Sequence, residues 1–420
     1  MSHLSYMEKL LDGVEVEWLP LGEIGQFIRG NGLQKKDFIE TGFPAIHYGQ
    51  IYTKYGLSAD ETFTYISEEL AKKLRKAEKN DLLLATTSEN DDDVVKPLAW
   101  LGNQSAISGD MMLFRHEQNV KYLAHYFLTE AFQAQKRKYI TGAKVRRVSS
   151  GDLSKIVVPI PCPDNPEKSL AIQAEIVRIL DAFTAMTAEL TAELTAELNM
   201  RKKQYNYYRD QLLSFEEGEV EWKTLEEVAH FANGKGHEKD ISEDGKFIVV
   251  NSKFISTDGL VAKYSDSQIC PLFKDDILLV MSDLPNGKAL SKTFIVDEDE
   301  RYTLNQRIGG ITVKDKSEIL PKFLHYYLDR TPRLLKHDNG VDQTNLRKGQ
   351  ILEVKVPILP LQKQEHIVSI LDKFDKLTKS LSEGLPREIE FRQKQYEYYR
   401  DLLLSYPACP AGGPKSDEAD

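Results

Sequence analysis

A long internal duplication constrains the fold of this chain more than any other feature of its sequence. Residues 170–210 and 361–401 align without a gap at an offset of 191. The matching pairs include Leu170/Leu361, Gln173/Gln364, Ile176/Ile367, Leu180/Leu371, Asp181/Asp372, Phe183/Phe374 and Tyr205/Tyr396. Because a repeat of this length encodes a repeated structural unit, we expect the chain to fold as two similar halves.

Two shorter repeats bound the variable part of each half. The tetrapeptide EVEW occurs at Glu15–Trp18 and again at Glu219–Trp222. Gly142 and Pro159 recur as Gly340 and Pro357, both at an offset of 198. Between these positions the two halves diverge widely. Each half therefore consists of one variable segment followed by one long similar segment.

The long similar segments have the apolar periodicity of helices. Apolar residues recur at steps of three or four from Ile172 to Leu212, which is typical of an amphipathic helix. Neither Gly nor Pro occurs in residues 170–214, so one helix of about 45 residues and about 65 Å is predicted. In the second copy Gly384 and Pro386 end the pattern, since Gly favours a C-terminal cap and Pro begins a new helix.

The first long helix contains the tetrapeptide TAEL three times in succession, at residues 187–198. An apolar stripe of this length requires a partner, and we expect the two similar helices to pack antiparallel as a coiled coil. The alternative is that each helix packs only on its neighbouring domain. The residues predicted to pack along the helices are Leu190, Leu194, Leu198, Leu377 and Leu381.

The variable segments mix short strand-like runs with short helical ones, so the predicted fold class is α+β. We expect two globular α+β domains joined by two long antiparallel helical regions in a circular arrangement with a pseudo-twofold axis. The predicted boundaries are 1–19 for an N-terminal segment completing the helical repeat, 20–161 for the first domain, 162–216 for the central helix, 217–360 for the second domain, 361–406 for the C-terminal helical repeat and 407–420 for a disordered tail.

Composition restricts the location and the partners of the protein. No secretion signal begins the chain and no run of about 18 apolar residues occurs, so a cytoplasmic protein without a membrane partner is expected. The three cysteines match no metal-binding spacing and are interpreted as reduced thiols. A net charge of −10 argues against indiscriminate coating of nucleic acid, which needs a basic surface. Local basic patches remain compatible with it.

One such patch ends the first variable segment. Its predicted DNA-binding residues are Lys136, Arg137, Lys138, Gly142, Lys144, Arg146 and Arg147, with Gly142 allowing a tight loop. In the second segment they are Arg333, Lys336, Gln343, Thr344, Asn345, Arg347 and Lys348. Arg pairs with guanine and Asn or Gln with adenine, and both Arg and Lys contact phosphate. The alternative is that these residues form solvated charged surfaces.

Motifs for catalysis are scarce. Residues 88–93 (SENDDD) include consecutive acids, which suggest either a metal site or, more commonly, a solvated loop. Neither a Walker loop nor a Gly-rich dinucleotide loop is present, and the Asn-Pro-Pro-aromatic motif of amino-methyltransferases is absent. We therefore predict no catalytic residue, no metal and no cofactor in this chain. The rival interpretations are an enzyme acting alone on DNA, and a scaffold or coiled-coil assembly protein that does not bind DNA.

The duplicated helices, the paired EVEW segments, the Gly142 and Gly340 loops and the TAEL run together resemble the specificity subunit of type I restriction-modification enzymes. The resemblance covers nearly the whole chain. It implies two target recognition domains that each bind half of a bipartite, asymmetric double-stranded DNA sequence, and helices that hold them apart. The TAEL run looks like the spacer element of one subfamily, in which the repeat number sets the gap between half-sites.

The same resemblance implies the partners. Two methylation subunits, which carry S-adenosylmethionine and modify adenine N6, and the restriction (motor-nuclease) subunits, which use ATP and Mg, are expected to assemble on this chain. The helical repeat is expected to provide the subunit interface, with Tyr205, Tyr208, Tyr396 and Tyr399 as its candidate residues.

Overall fold

The computed structural model describes residues 10–11, 13–216, 218–237, 240–285, 287–379 and 384–406. Most of the N-terminal segment that was predicted to complete the helical repeat lies outside these residues, as do Leu381 and the tail 407–420. The chain forms two compact units, which we call unit 1 (Met1–Ala192 with Glu390–Asp420) and unit 2 (Glu193–Ile389). The division between them falls within the TAEL run.

The helices of the described residues are mostly short, with three long exceptions near the unit boundaries. They are α1 Leu21–Ile24, α2 Tyr48–Thr53, α3 Glu68–Ala71, α4 Val120–Phe127, α5 Glu130–Arg137, α6 Ser150–Leu153, α7 Pro166–Leu212, α8 Leu225–Val228, α9 Ser252–Ser256, α10 Pro321–Leu328, α11 Pro332–Leu335, α12 Lys348–Leu352, α13 Leu361–Lys379 and α14 Leu385–Leu403. A 3-10 turn occupies Lys35–Asp37. Among the described residues, none of these helices is long and apolar enough to cross a membrane.

The strands of unit 1 are β1 Val16–Pro20, β2 Gly25–Arg29, β3 Phe43–Ile46, β4 Ser58–Ala59, β5 Thr64–Ile66, β6 Lys76–Ala77, β7 Leu82–Ala85, β8 Thr87–Ser88, β9 Lys96–Trp100, β10 Ser105–Ile107, β11 Met111–His116, β12 Arg146–Arg147 and β13 Val157–Pro161. Those of unit 2 are β14 Glu221–Thr224, β15 Ala229–Asn233, β16 Phe247–Val250, β17 Tyr264–Ser265, β18 Ile277–Val280, β19 Ser282–Asp283, β20 Thr293–Ile295, β21 Tyr302–Leu304, β22 Ile308–Val313, β23 Thr344–Asn345 and β24 Lys355–Ile358.

The two units build similar but not identical sheets. Unit 1 has a sheet in the order β2-β11-β7-β9-β4, and unit 2 has its counterpart in the order β15-β22-β18-β20. A second sheet places β3 beside β10 in parallel, as β16 lies beside β21. The strands of both sheets are short, and the central ones are apolar, for example β7 (Leu82–Ala85) of the first sheet, whose four residues are all buried. The predicted α+β class is confirmed.

The repeated tetrapeptide EVEW and the repeated proline meet in one strand pair of each unit. Trp18 of β1 lies opposite Pro159 of β13, and Trp222 of β14 lies opposite Pro357 of β24. Pro lacks a backbone N–H, so it is tolerated only where the ladder needs no donor, such as the edge of a two-stranded sheet. These pairs connect the start of each variable segment to its end, where the chain enters the long helix.

The long helix α7 begins where its sequence predicts a start. The side-chain oxygen of Asn165 accepts a hydrogen bond from the backbone N–H of Lys168 at 3.1 Å, and Pro166 occupies the first helical position, where a missing N–H costs nothing. The helix then continues through the TAEL run to Leu212. Prediction of a single helix from the unbroken stretch 170–214 is confirmed to within a few residues at each end.

Within each unit the two similar helices lie antiparallel. In unit 1 the hydroxyl of Thr184 donates to that of Tyr396 at 2.9 Å, and the Phe183 and Tyr399 rings are 6.0 Å apart. In unit 2 the ring of Phe374 lies 6.3 Å from that of Tyr205. In the second helical repeat α14 begins directly after Gly384, which has a φ of 90°, a left-handed conformation that glycine adopts readily.

Candidate nucleic-acid interface

The basic cluster of unit 1 is built on a two-stranded ribbon. Strand β12 pairs antiparallel with β8, so that Arg146 lies opposite Ser88 and Arg147 opposite Thr87. The loop before β12 closes through two backbone hydrogen bonds between Thr141 and Arg147, each 2.9 Å. Gly142 has a φ of 92°, and a Cβ at this position would collide with the carbonyl oxygen of Val145. The tight loop expected at this glycine is therefore present.

The ribbon and its loop display cations to solvent. Lys138, Lys144 and Arg147 are exposed, and Arg146 is half-buried. Arg137 is also exposed, but its guanidinium pairs with Glu130 in the same helix. The guanidinium of Arg147 makes no ion pair or hydrogen bond with another residue in the described part of the chain. Arg147 and the two lysines are thus placed as phosphate-contacting side chains would be.

Lys136 does not belong to this exposed surface, which corrects the prediction from sequence. Its side chain is fully buried, and its ammonium donates to the carbonyl oxygens of Asp92 and Val94, both at 2.9 Å. Burial lowers the pKa of the Lys136 ammonium to about 8, since removal from water disfavours the charged form. Lys136 therefore fastens the loop after β8 to α5.

Sequence reasoning missed Asp91, which lies in that loop. Its Oδ1 is 2.8 Å from the Nε of Arg146, so the acidic run 88–93 contacts the basic loop. The sequence predicts only a possible metal site or a solvated loop for residues 88–93, and nothing in it indicates that one of these acids pairs with an arginine of the basic cluster. Among the described residues no group of three or more His, Cys, Asp or Glu side chains is arranged to hold a metal ion.

Unit 2 repeats the ribbon with different side chains. Strand β23 pairs with β19, so that Asn345 lies opposite Ser282 and Thr344 opposite Asp283. Asn345 and Gln343 are exposed, and the Gln343 amide also donates to the Ser282 hydroxyl at 2.8 Å. Amide side chains can form two hydrogen bonds with an adenine edge. Strand β23 is therefore polar and uncharged where the equivalent strand β12 of unit 1 carries two arginines.

Thr344 also departs from the prediction that it contacts DNA. The residue is buried, and its hydroxyl donates to the Asp338 carboxylate at 3.2 Å. Neighbouring residues of a strand point to opposite faces, so the Thr344 side chain faces inward while that of Asn345 is exposed. Beside the ribbon, Leu284 is 68% exposed and Val341 is 74% exposed. Exposed apolar groups at such a surface are suited to thymine methyl groups.

The remaining basic residues predicted in unit 2 occupy separate positions. The guanidinium of Arg333 lies 5.0 Å from the Trp222 ring centroid, and its Nε donates to the Tyr327 hydroxyl at 3.1 Å, so it packs beside β14. Lys336 is exposed at the C-terminal end of α11. Arg347 and Lys348 are exposed and follow β23 directly at the start of α12. Only these last two adjoin the ribbon in sequence.

The residues predicted on the helices divide by burial. Leu190, Leu194, Leu198 and Leu377 are half-buried along the packed faces, whereas Tyr208 and Tyr399 are exposed. Tyr205 is buried in the core of unit 2. Tyr396 is half-buried, with its hydroxyl bonded to Thr184. Tyr208 and Tyr399 therefore expose part of their rings although those rings also lie near Phe374 and Phe183, while Tyr205 is committed to the helix packing of its own unit.

The described residues thus form two related α+β domains, each with a two-stranded ribbon of hydrogen-bonding side chains and each followed by a long helix. The family model described as the type I restriction modification DNA specificity domain matches residues 13–200 and 217–391. The chain belongs to this family and carries two copies of its domain.

Individual relatives agree with the family model over nearly the full length of the chain. The type I restriction enzyme EcoR124I/EcoR124II specificity subunit of Escherichia coli is 38% identical over 435 residues, which covers 97% of this chain and 98% of that protein. The EcoprrI specificity subunit of Escherichia coli is 34% identical over 399 residues and covers 91% of this chain and 93% of that protein.

A solved structure has a similar fold. It comes from work on complex assembly and conformational transition of the type I R-M system, and its sequence is 15% identical to this chain. The TM-score is 0.58, with 93% of this chain and 97% of that one covered. At this identity the similarity concerns the fold alone.

Proposed function

We propose that this chain is the subunit that selects the DNA target of a type I restriction-modification complex, and that each α+β domain binds one half of a bipartite, asymmetric sequence. The observation that carries the proposal is the pair of equivalent ribbons with different side chains. Arg146 and Arg147 on β12 favour guanine and phosphate contacts, whereas Gln343 and Asn345 around β23 favour adenine. Because the two domains of one chain would bind different base sequences, the DNA target would have no twofold symmetry.

The proposed target recognition domains are residues 20–161 and 217–360. The proposed DNA-contacting residues are Arg137, Lys138, Gly142, Lys144, Arg146, Arg147, Gln343, Asn345, Arg347 and Lys348. Contacts through backbone and phosphate would set the register of each domain, and the base-facing side chains would supply discrimination. The net charge of −10 is consistent with an affinity that partner subunits help to supply.

The proposal assigns no chemistry to this chain itself. Adenine N6 methylation, with its S-adenosylmethionine, belongs to two methylation subunits, and cleavage with ATP and Mg belongs to the restriction subunits. Exposed tyrosines on the long helices, Tyr208 and Tyr399, are proposed as part of the surface that binds the methylation subunits, since aromatic residues are enriched where partners meet. Family membership disfavours the alternative of a scaffold that does not bind DNA.

A map of N6-methyladenine tests the proposal. Single-molecule sequencing would compare cells carrying this gene and its neighbouring methylation gene with cells that carry only the methylation gene. We expect a two-part asymmetric motif with a fixed gap that appears only when both genes are present. A motif that is independent of this gene, or no motif while the methylation subunit is active on another specificity subunit, would contradict the proposal.

A further inference from the structure

We propose that Asp91 is a specificity-determining residue that positions the Arg146 guanidinium for one base, in addition to the contacts described above. The inference rests on the proposed function, because it assumes that the β8–β12 ribbon faces DNA. Asp91 is an acidic residue at a surface that would approach DNA phosphates, where a carboxylate alone lowers the affinity for DNA through repulsion. Its contact with Arg146 would offset that loss of affinity by improving base discrimination.

The first observation is the hold on Arg146. The Asp91 carboxylate lies 2.8 Å from Nε, and the Nη1 group donates to the carbonyl oxygen of Gly142 at 2.6 Å. A guanidinium has five N–H donors in one plane, so at least three of them remain for a base edge. Two contacts on different sides of the group fix the direction in which those donors point.

The second observation is that Asp91 stands on a loop fastened at several points. The side-chain Oδ1 of Asn90 accepts from the Asp93 backbone N–H at 2.8 Å, and the side-chain amide of Asn90 donates to the Asp93 carboxylate at 2.7 Å. The buried Lys136 ammonium binds the carbonyl oxygens of Asp92 and Val94. The loop that carries Asp91 is therefore held by hydrogen bonds of the residues on both sides of Asp91.

A third contact holds the same loop from the opposite side. The Tyr52 hydroxyl donates to the carbonyl oxygen of Thr87 at 2.9 Å and lies 3.3 Å from that of Asp93. Thr87 belongs to β8 and lies opposite Arg147 of β12. Tyr52 therefore contacts both the acidic loop and the strand that pairs with the two arginines. A side chain oriented by such a support loses less entropy when it binds, which favours the correct base.

The fourth observation is the contrast with the neighbouring arginine. Arg147 is exposed and has no side-chain partner among the described residues, which suits a phosphate that tolerates many geometries. The Arg146 side chain is half-buried and is held by Asp91 and by the Gly142 carbonyl oxygen. This suits a base edge, which accepts hydrogen bonds in only one geometry. We assign guanine as the base that Arg146 contacts, since two donors in one plane match its O6 and N7 acceptors.

The experiment uses the full chain in complex with its partner subunits and a library of DNA in which every target position is randomised. Selection and sequencing give the base preference at each position for the wild type, for Asp91→Asn, Asp91→Glu and Arg146→Ala, and for the double variant Asp91→Asn/Arg146→Ala. Asp92→Asn is the matched control, because it removes the same charge from the same loop without a contact to Arg146. Thermal unfolding of each variant verifies that the fold is intact.

We expect Asp91→Asn to reduce the preference for guanine at one position on the order of tenfold, at the same position as Arg146→Ala and with no further loss in the double variant. Asp92→Asn should leave that preference unchanged. Asp91→Glu should restore part of it, which a purely structural role would not predict. Equal effects of Asp91→Asn and Asp92→Asn, or a gain in affinity for every sequence with unchanged preference, would overturn the inference.

Failure of the proposed function gives a different result. In that case the wild-type complex would show no preference at any position, and both the function and the inference would be rejected together. A wild type with a two-part preference that none of these variants alters would reject only the inference.

Discussion

The side-chain oxygen of Gln173 accepts a hydrogen bond from the backbone N–H of Asn119 at 2.9 Å. Asn119 caps the N-terminus of α4, so this contact joins the long helix of unit 1 to its α+β domain. Unit 2 has the same junction, because the oxygen of Gln364 accepts from the backbone N–H of Leu320, the cap residue of α10, at 2.8 Å. Both glutamines are fully buried.

Replacing either glutamine with leucine should destabilise its own unit. Gln173→Leu leaves the half-buried backbone N–H of Asn119 without this partner, and Gln364→Leu does the same to Leu320. A buried polar group left unpaired costs about 1–3 kcal/mol, and we expect a loss near the lower end of that range because these N–H groups are half-buried. Chemical denaturation of the full chain, followed by fluorescence, would measure the loss in the free energy of unfolding.

Gln362→Leu is the control for this pair of variants. Gln362 lies on the same helix as Gln364 but is exposed, so the substitution should change stability by less than about 0.5 kcal/mol. An equal effect of Gln362→Leu and Gln364→Leu would show that helix propensity or surface polarity, and not the buried hydrogen bond, determines the result.

These junctions explain why the duplication was visible in the sequence. Asp181 and Asp372, another matched pair, accept from Lys121 at 2.5 Å and from Lys322 at 2.6 Å. Each of these acids again connects a long helix to the adjacent domain. Residues that dock a helix cannot change without loss of packing or hydrogen bonds, and their periodic spacing identifies the helix directly.

The interface was less predictable because burial depends on tertiary contacts. A cluster of cations in sequence gives no sign that Lys136 turns inward to two carbonyl groups 42 and 44 residues away, or that Thr344 faces Asp338. The Asp91–Arg146 ion pair joins the loop after β8 to strand β12, which lie side by side through the β8–β12 pairing and not through nearness in sequence. Strands β12 and β23 have only two residues each. A strand of that length gives no alternating pattern in the sequence from which the exposed side chain could be predicted.

Arg147→Ala should weaken DNA binding by a similar factor for every sequence. A phosphate contact releases counterions, so its loss should lower the slope of log affinity against log salt by about one unit. Fluorescence anisotropy of the assembled complex with a target and a scrambled duplex, over a range of salt concentrations, would measure both slopes. Lys79→Ala, an exposed cation outside the ribbon, serves as the control, and an equal change in its slope would contradict the assignment.

Asn345→Ala should alter only one half of the target. The loss of an amide that forms two hydrogen bonds with an adenine costs about 1–3 kcal/mol of discrimination, and it should appear at one position in the half-site that unit 2 binds. The methylation map would show that half-site relaxed while the half-site of unit 1 keeps its sequence. Relaxation in both halves, or in neither, would be inconsistent with a separate reader in each unit.

Acid should destabilise unit 1 through His125. Burial lowers the pKa of His125 to about 4, despite the Asp181 carboxylate 3.5 Å from its Nε2. The unfolded chain, with a histidine pKa near 6.5, binds this proton first. The contribution of neutral His125 is therefore complete above about pH 6.5 and is lost as the pH falls toward 4, by up to about 1.4 kcal/mol per pH unit.

His125→Gln removes this titration, and it should also lower stability at neutral pH because it alters a buried site. The difference in unfolding free energy between the wild type and His125→Gln should narrow from pH 7 to pH 4.5. Denaturation curves at each pH would measure it. A difference that stays constant over this interval would mean that His125 keeps an ordinary pKa in the folded protein.

Deletion of Thr195–Leu198, one of the three TAEL copies, should change the gap between the two half-sites and leave both half-sites unchanged. Four residues advance a helix by about 6 Å and rotate it by a net 40° or so. One base pair of DNA rotates by about 35°, so the rotation corresponds to one base pair per copy. The methylation map of cells carrying the shortened chain would give the new gap directly.

The helix advances further than a base pair rises, since one base pair rises only about 3.4 Å along the axis of the duplex. We infer that either the helix pair is inclined to the DNA axis or the linkage between the domains yields, so that rotation determines which gap is accepted. Thr195→Ala is the control, because it changes the sequence of the third copy and keeps its length, so the gap should be that of the wild type. An unchanged gap after the deletion would mean that the domains are positioned by contacts other than the length of α7.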